Sequence, residues 1–262
     1  MFDPDIYSEA FYSKEDRSRF LTADVVLTHF FKYYQPESIV DVGCGLGHWL
    51  SVCLSKNIGD IKGYDGHYVN ADALKIPEDA FERHNLEESL VTTKKYDLAI
   101  TIEVAEHLPK DKADTFIHSL TQCADVILFS AAAPYQGGVN HFNEQPPAYW
   151  AALFSEKGYL CFDFMRDILW EKEDVNCVHA QNLLVFVKQE KRHLIERAGL
   201  TPVLSPKLIY HPEFVKIKLD IPAPEPEKKI KKKRFLYYLF FIPIALIPSK
   251  KQRHKMRHWT KR

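Results

Sequence analysis

At 262 residues, 46% hydrophobic and 13% aromatic, the chain can bury one sizeable core with length left for appendages, which excludes a wholly disordered or fibrous protein. The formal net charge of zero hides a division: residues 1–190 hold 16 Lys/Arg against 30 Asp/Glu, a balance of −14, and residues 191–262 hold 19 against 5, a balance of +14. The five cysteines, odd in number and without a C-x-x-C pair, argue against a zinc knuckle or a disulfide framework and fit a reducing cytosol.

Met1-Phe2-Asp3-Pro4-Asp5 is acidic and has no apolar run, so it does not read as a secretory signal. Phe20, Val25, Leu27, Phe30, Phe31 and Tyr34 fall broadly at helical spacing and predict an amphipathic helix over 15–34. From there strands and helices alternate. A strand at 38–42 precedes a helix over about 46–55, and a second strand at 61–64 ends at Asp65. A short strand is expected near 80–82, a buried one at 96–103, a helix over about 110–122 and an apolar strand at 125–130. This rhythm predicts a doubly wound, parallel α/β sheet. A loop over 131–145 follows. Pro146 and Pro147 then open a helix, because proline is tolerated in a first turn, and Gly158 stops it. Residues 159–164 and 182–188 read as a closing pair of strands. Beyond 190, Pro202, Pro206, Pro212, Pro222, Pro224 and Pro226 suggest an extended linker.

The last 35 residues, Lys228–Arg262, hold 13 Lys/Arg and no acid. Within them Phe235–Pro248 is an uncharged run of 14 residues. That is short of the roughly 20 that span a bilayer as a helix, and Pro243 would break it. An interfacial or re-entrant insertion flanked by bases, seeking an anionic membrane surface, is the expectation.

The chemistry concentrates at the carboxyl ends of the expected strands, the edge that lines the ligand crevice in open α/β sheets. Ile39-Val40-Asp41-Val42-Gly43-Cys44-Gly45-Leu46-Gly47 runs from strand through a glycine turn into a helix. The spacing G-x-G-x-G lacks the later glycine of the dinucleotide fingerprint, since His48 and Leu50 stand where it would fall. It suits a nucleotide-like ligand lying on the glycines themselves, the pattern of S-adenosylmethionine (SAM) enzymes, or else simply a tight strand–helix turn. Asp41 can order that loop or reach an ammonium group. Asp65 can accept both hydroxyls of a ribose, or serve as a turn aspartate before Gly66. Asn85 can bond an adenine amino group with Leu86 beside the ring, or cap a turn before Glu87 and Glu88. Glu103, Glu106 and His107 lie near the chemistry, and His107 could equally be a structural hydrogen-bond partner to the loop. Glu103 and His107 would be one turn apart in a helix, but two groups make no metal site and none is expected. On the glycine-hinged loop, His141 is the preferred general base for an acceptor hydroxyl; alternatively His141, Asn143 and Glu144 brace the loop.

These residues resemble the class I SAM-dependent methyltransferases over about 35–190. VDVGCGLGHWL is similar to their first motif, Asp65 to the ribose acid, His84-Asn85-Leu86 to the adenine-side motif, and YDLAITIEVAEHLP to the fourth-strand motif. The resemblance implies a Rossmann-like, seven-stranded sheet with an antiparallel last strand, and SAM as cofactor. Asp41, Gly43, Cys44, Gly45, Gly47, Asp65, Asn85, Leu86 and Glu103 would hold it, and His141, His107 and Glu103 would serve catalysis. GGVNHFNEQPPAYWAALFSEKGY and Ala180-Gln181-Asn182 look like a bacterial branch associated with sugar and cell-surface glycan assembly. The expected organisation is a helical lead-in at 1–34, the methyltransferase domain at 35–190, a Pro-rich extension at 191–227 and the basic tail at 228–262. The expected reaction is O-methylation of a sugar or lipid-linked glycan in the cytoplasm, at or near the inner membrane face. A lipophilic acceptor such as a quinone precursor, or a non-catalytic partner-binding role, is the alternative. Nucleic acid is disfavoured, because the catalytic half is acidic and the Pro-Pro motif of base methylation is missing after the fourth strand.

Overall fold

The computed structural model describes residues 14–220. The expected Phe235–Pro248 membrane-seeking segment and the rest of the basic tail lie outside the described residues. The elements in chain order are α1 (Lys14–Phe30), β1 (Ser38–Val42), α2 (His48–Ser55), β2 (Asp60–Asp65), β3 (Phe81–Arg83), β4 (Leu98–Ile102), α3 (Ala113–Cys123), β5 (Val126–Ser130), α4 (Pro147–Glu156), β6 (Tyr159–Phe162), α5 (Met165–Leu169), α6 (Cys177–Asn182), β7 (Leu184–Lys188), α7 (His193–Glu196) and α8 (Pro212–Leu219).

The strands form one seven-stranded sheet in the order β3-β2-β1-β4-β5-β7-β6. The first five pair in parallel, and β7 runs antiparallel to both β5 and β6. This is the expected α/β, Rossmann-like sheet. The order reverses at β1, and β4 is its parallel neighbour on the other side, so the carboxyl ends of β1, β2 and β4 share one edge at the switch point where such sheets bind ligands.

Successive side chains of a strand point to opposite faces, and here both faces are covered. Val40, Val42, Ala99, Ile127 and Phe129 enter one core, and Ile39, Leu98, Ile100, Val126 and Leu128 enter the other. That is why these strands read as unbroken apolar runs. Helix α1 buries Ala23, Val26, Leu27 and Phe30, one stripe of the cylinder, in the second core. In the first core Phe154 stacks on Phe186 at 3.8 Å between ring centroids, and Phe129 meets both edge-on at 5.4 and 5.8 Å.

Two expectations change. Residues 191–220 are not a free linker. Ile195 and Phe214 are buried, Val203 pairs with Cys161, the Tyr210 hydroxyl donates to Pro134 O, and Arg166 donates to Lys207 O. Prolines exclude a regular ladder, yet they leave side chains and carbonyls free to dock. The helices α5 and α6, between the closing strands, were not anticipated; they are short, and tertiary packing rather than propensity holds them. Among the described residues no helix is long and apolar enough to cross a membrane.

Phe154→Ala should cost about 3–5 kcal/mol in chemical denaturation. Leu204→Ala, at a wholly exposed position, should stay within about 0.5 kcal/mol of the parent.

Candidate active site

The turn between β1 and α2 takes its shape from three left-handed glycines, Gly43, Gly45 and Gly47, at φ +88°, +53° and +85°. They are required for different reasons. A Cβ on Gly43 would stand 2.4 Å from Val104, and one on Gly47 would stand 2.9 Å from Ile76. A Cβ on Gly45 would meet nothing within 4 Å among the described residues. Gly45 therefore faces open space, and the other two let neighbouring chain close on the turn. Cys44 points its thiol into the core beside Gly63, and burial pushes the thiol far above its usual range, so its side chain packs and is not reactive.

Asp65, at the end of β2, is buried and tied to the turn. One carboxylate oxygen accepts the Gly45 N–H at 2.6 Å; the other accepts the Gly66 N–H at 2.6 Å and the Tyr68 hydroxyl in a short bond. The carboxylate expected to be open to two ribose hydroxyls is thus already engaged by three donors, leaving about one of its four acceptor positions. Tyr68 is the yielding member of that set, because it is 82% exposed. Asp41 lies buried beneath the turn with no hydrogen-bond partner for Oδ2 among the described residues, and burial, with Asp65 second, holds its carboxyl well above the usual carboxylate range. The structure favours the capping role for Asn85: its Oδ1 accepts the Glu87 N–H and its amide donates to Glu88. Leu86 is buried in the first core with Val42 and Val104.

At the end of β4, Glu103 adopts a left-handed backbone (φ +55°), an uncommon state for a residue with a side chain. Its carboxylate accepts from Gln136 Nε2 at 2.7 Å and Asn182 Nδ2 at 3.2 Å. Asn182 also donates to Gln136 Oε1, and Gln181 donates to Asn182 Oδ1. Gln136 and Gln181 were not singled out for a role; each is an ordinary polar residue whose purpose exists only where β4, the β5 loop and α6 converge. Residues Ala105–His107 form a 3-10 turn, so Glu103 and His107 are not stacked one α-turn apart.

The loop after β5 is strapped onto that turn. Phe142 N–H and Asn143 N–H both donate to Glu106 O, and His107 Nδ1 donates to Asn140 O at 3.2 Å. The straps bring the His141 ring against His107, centroids 4.7 Å apart and perpendicular. His141 Nδ1 bonds Glu144 at 2.9 Å, and Glu144 also receives the Gly137 N–H. A Cβ on Gly138 would fall 2.3 Å from His141 Nε2, so this imidazole edge needs a glycine opposite it. Desolvation, then His141, lowers the pKa of His107. Glu106 is fully buried, and neither carboxylate oxygen has a hydrogen-bond partner among the described residues. Burial, then Glu103, raises its pKa; its own N–H and that of Ala132 pull the other way without reaching hydrogen-bond geometry. His179 is another imidazole lowered by burial; it lies by Trp49, with ring centroids 6.2 Å apart.

Residues 14–203 match the protein family described as "Methyltransferase domain". No curated protein is similar enough in sequence to match the chain. Among solved structures, the methyltransferase domain of bacterial CtHen1 is 21% identical, with 66% of this chain and 97% of that one covered and a TM-score of 0.47. Magnesium protoporphyrin IX methyltransferase (ChlM) from Synechocystis PCC 6803, with bound SAH, is 17% identical over 70% of this chain and 91% of that one, at a TM-score of 0.48. An O-methyltransferase family protein from Burkholderia thailandensis is 14% identical over 63% and 55%, at 0.46.

The residues present fit SAM. Gly45 leaves an uncovered stretch of backbone, and the Asp65 carboxylate is bonded to that same residue. Tyr68→Phe removes the hydroxyl that competes for Asp65 and should tighten SAM about tenfold, the worth of one hydrogen bond to a charged group. Asp65→Ala, which also releases the Gly45 N–H, should weaken SAM by about tenfold or more. Calorimetric titration checks both, and affinities equal to wild type in the two variants would remove Asp65 from the cofactor site.

Proposed function

The chain belongs to the methyltransferase-domain family and is a SAM-dependent methyltransferase, and we propose that the atom it methylates is a hydroxyl oxygen on a sugar or lipid-linked glycan intermediate. The observation that carries this reading is the imidazole pair of His107 and His141, backed by Glu144, at the sheet edge beside the glycine turn. When bound, SAM supplies a methyl group already activated by its sulfonium. Gly45 and Asp65 would hold it, with Asp41, Gly43, Cys44 and Gly47 shaping the turn, Asn85 and Leu86 near the base, and Glu103 at the end of β4. What the chain must then add is alignment and a place for the proton that a hydroxyl loses on becoming a nucleophile. The cluster of His107, Glu106 and His141 offers that place, and the Nδ1–H bond to Glu144 fixes the His141 tautomer.

Val104 links the two halves of the site. It packs on Gly43 and is the residue between Glu103 and Ala105, so the β4 end that carries the acids rests directly on the cofactor turn. The loop past β5 also exposes Tyr135, Val139 and Phe142. Exposed apolar side chains on a loop beside a polar site suit an acceptor with an apolar portion. They support a lipid-linked glycan, and equally the second reading of a lipophilic small molecule such as a quinone precursor. The sugar assignment leans on the resemblance of GGVNHFNEQPPAYW to glycan-assembly enzymes. The basic tail would hold the enzyme against an anionic leaflet, at about 1 kcal/mol per Lys/Arg near the surface.

Labelled SAM offered with nucleotide sugars, extracted lipid-linked glycans and quinone precursors in separate reactions should label an oxygen of one of the first two; label on a quinone precursor alone would move the assignment to the second reading. With the acceptor found, His141→Ala should lower kcat about 100-fold or more and leave the KM for SAM within about twofold. Deleting residues 228–262 should abolish sedimentation with vesicles containing phosphatidylglycerol, and the full chain should not sediment with phosphatidylcholine alone.

A further inference from the structure

We infer that Glu106, His107 and His141 form a binding site for one divalent transition-metal cation such as Mn2+ or Zn2+. One ligand atom from each of the three lies within 4.8 Å of the others. An ion about 2.1 Å from each would draw those atoms together by about an ångström, a movement that side chains supply. Two imidazoles and one carboxylate with positions left open is a donor set that suits these ions.

Three independent features point to a ligand rather than a chance cluster. The first is Glu106: it is fully buried, and among the described residues neither carboxylate oxygen has a hydrogen-bond partner, the N–H groups of Glu106 and Ala132 lying near without bonding, which is unusual because buried polar groups are almost always bonded. The second is the pair of rings. His107 Nδ1 is bonded to a backbone carbonyl and His141 Nδ1 to a carboxylate, both pure acceptors, so each Nδ1 carries the proton and each Nε2 keeps its lone pair. Outer bonds of this kind, to a carbonyl or a carboxylate, orient metal-binding histidines. The third is access. Glu106 is buried, His141 half-buried and His107 exposed, so the cluster is rooted in the protein and open on one side. Nearby acids do not compete for the role: Glu103 is held by Gln136 and Asn182, and Glu144 by His141 and Gly137.

The inference deepens the proposed function and rests on it for its chemical purpose. A hydroxyl coordinated on the open side becomes more acidic. Its proton passes to water, its oxygen pair forms the bond to the methyl carbon, and the pair of the broken carbon–sulfur bond stays on sulfur. With the ion bound, the three side chains serve as ligands instead of as the place for the proton, and Glu144 orients His141. Acceptors with two neighbouring hydroxyls, which can chelate, are favoured over those with one.

The test uses the full, untagged chain, stripped with EDTA and dialysed. MnCl2 is followed by electron paramagnetic resonance and ZnCl2, in a separate arm, by calorimetry. One ion per chain should bind in at least one arm, and Glu106→Gln and His107→Ala should each weaken it at least tenfold. Thermal melts of the two variants should stay close to the parent, and exposed His107 is the substitution least able to disturb the fold. Failure of both ions to bind the parent at one per chain, or parent-like binding in both variants, overturns the site. SAM is titrated into the same stripped protein: SAM bound with no cation site overturns the inference and leaves the transferase reading standing, whereas loss of SAM binding would count against that reading instead.

Discussion

Val104 fills the space that a side chain at Gly43 would need, and the active edge of the sheet depends on that contact. It brings the end of β4 against the turn that follows β1. The turn is in turn bonded to β2 through Asp65, whose carboxylate accepts the Gly45 N–H, and through Tyr64 O, which accepts from Gly43 and Cys44. Three parallel strands are thereby fastened at their carboxyl ends by one short stretch of left-handed backbone. Glycine supplies that backbone without steric cost, which is why all three positions carry it.

The polar groups beyond this junction divide into two kinds. Glu103, Gln136, Gln181 and Asn182 form a closed network in which amide donors meet carboxylate and carbonyl acceptors. Such a network specifies a geometry and holds Glu103 in its uncommon backbone state. Asp41 and Glu106 are the opposite case: carboxyl groups in the interior with oxygens that no described residue bonds, both with pKa values raised by burial. Groups of that kind cost stability in isolation, and each stands two residues from a member of the Val104–Gly43 contact.

The loop after β5 shows how a flexible-looking sequence becomes a positioned one. Gly137, Gly138 and Asn140 favour no regular structure, and Gly137 and Asn140 take positive φ. Two backbone bonds to Glu106 O and one from His107 to Asn140 O then dock the loop onto the 3-10 turn after β4. The same atoms that fasten the loop place His141 opposite His107, so the docking of the loop and the pairing of the two rings have one cause.

Much of this was legible in the residues. The α/β alternation, the three-glycine turn, the acid at the end of β2 and the cluster EVAEH could be read from spacing, because strand and helix periodicity and the need for positive φ are local properties of a chain. Tertiary structure alone decided the rest. Which of the three glycines faces open space depends on where Val104 and Ile76 arrive from distant sequence. Tyr68 occupies Asp65 and Asn85 caps its own turn through contacts only two or three residues long, where spacing allowed either role and the folded backbone selected one; that proline-rich residues 191–220 pack rather than dangle is decided by partners far apart in the chain. The pairing of His107 with His141, 34 positions later, is of the same kind: sequence spacing carries no distance once a strand, a helix and a loop intervene, and only the closed sheet brings the two rings together.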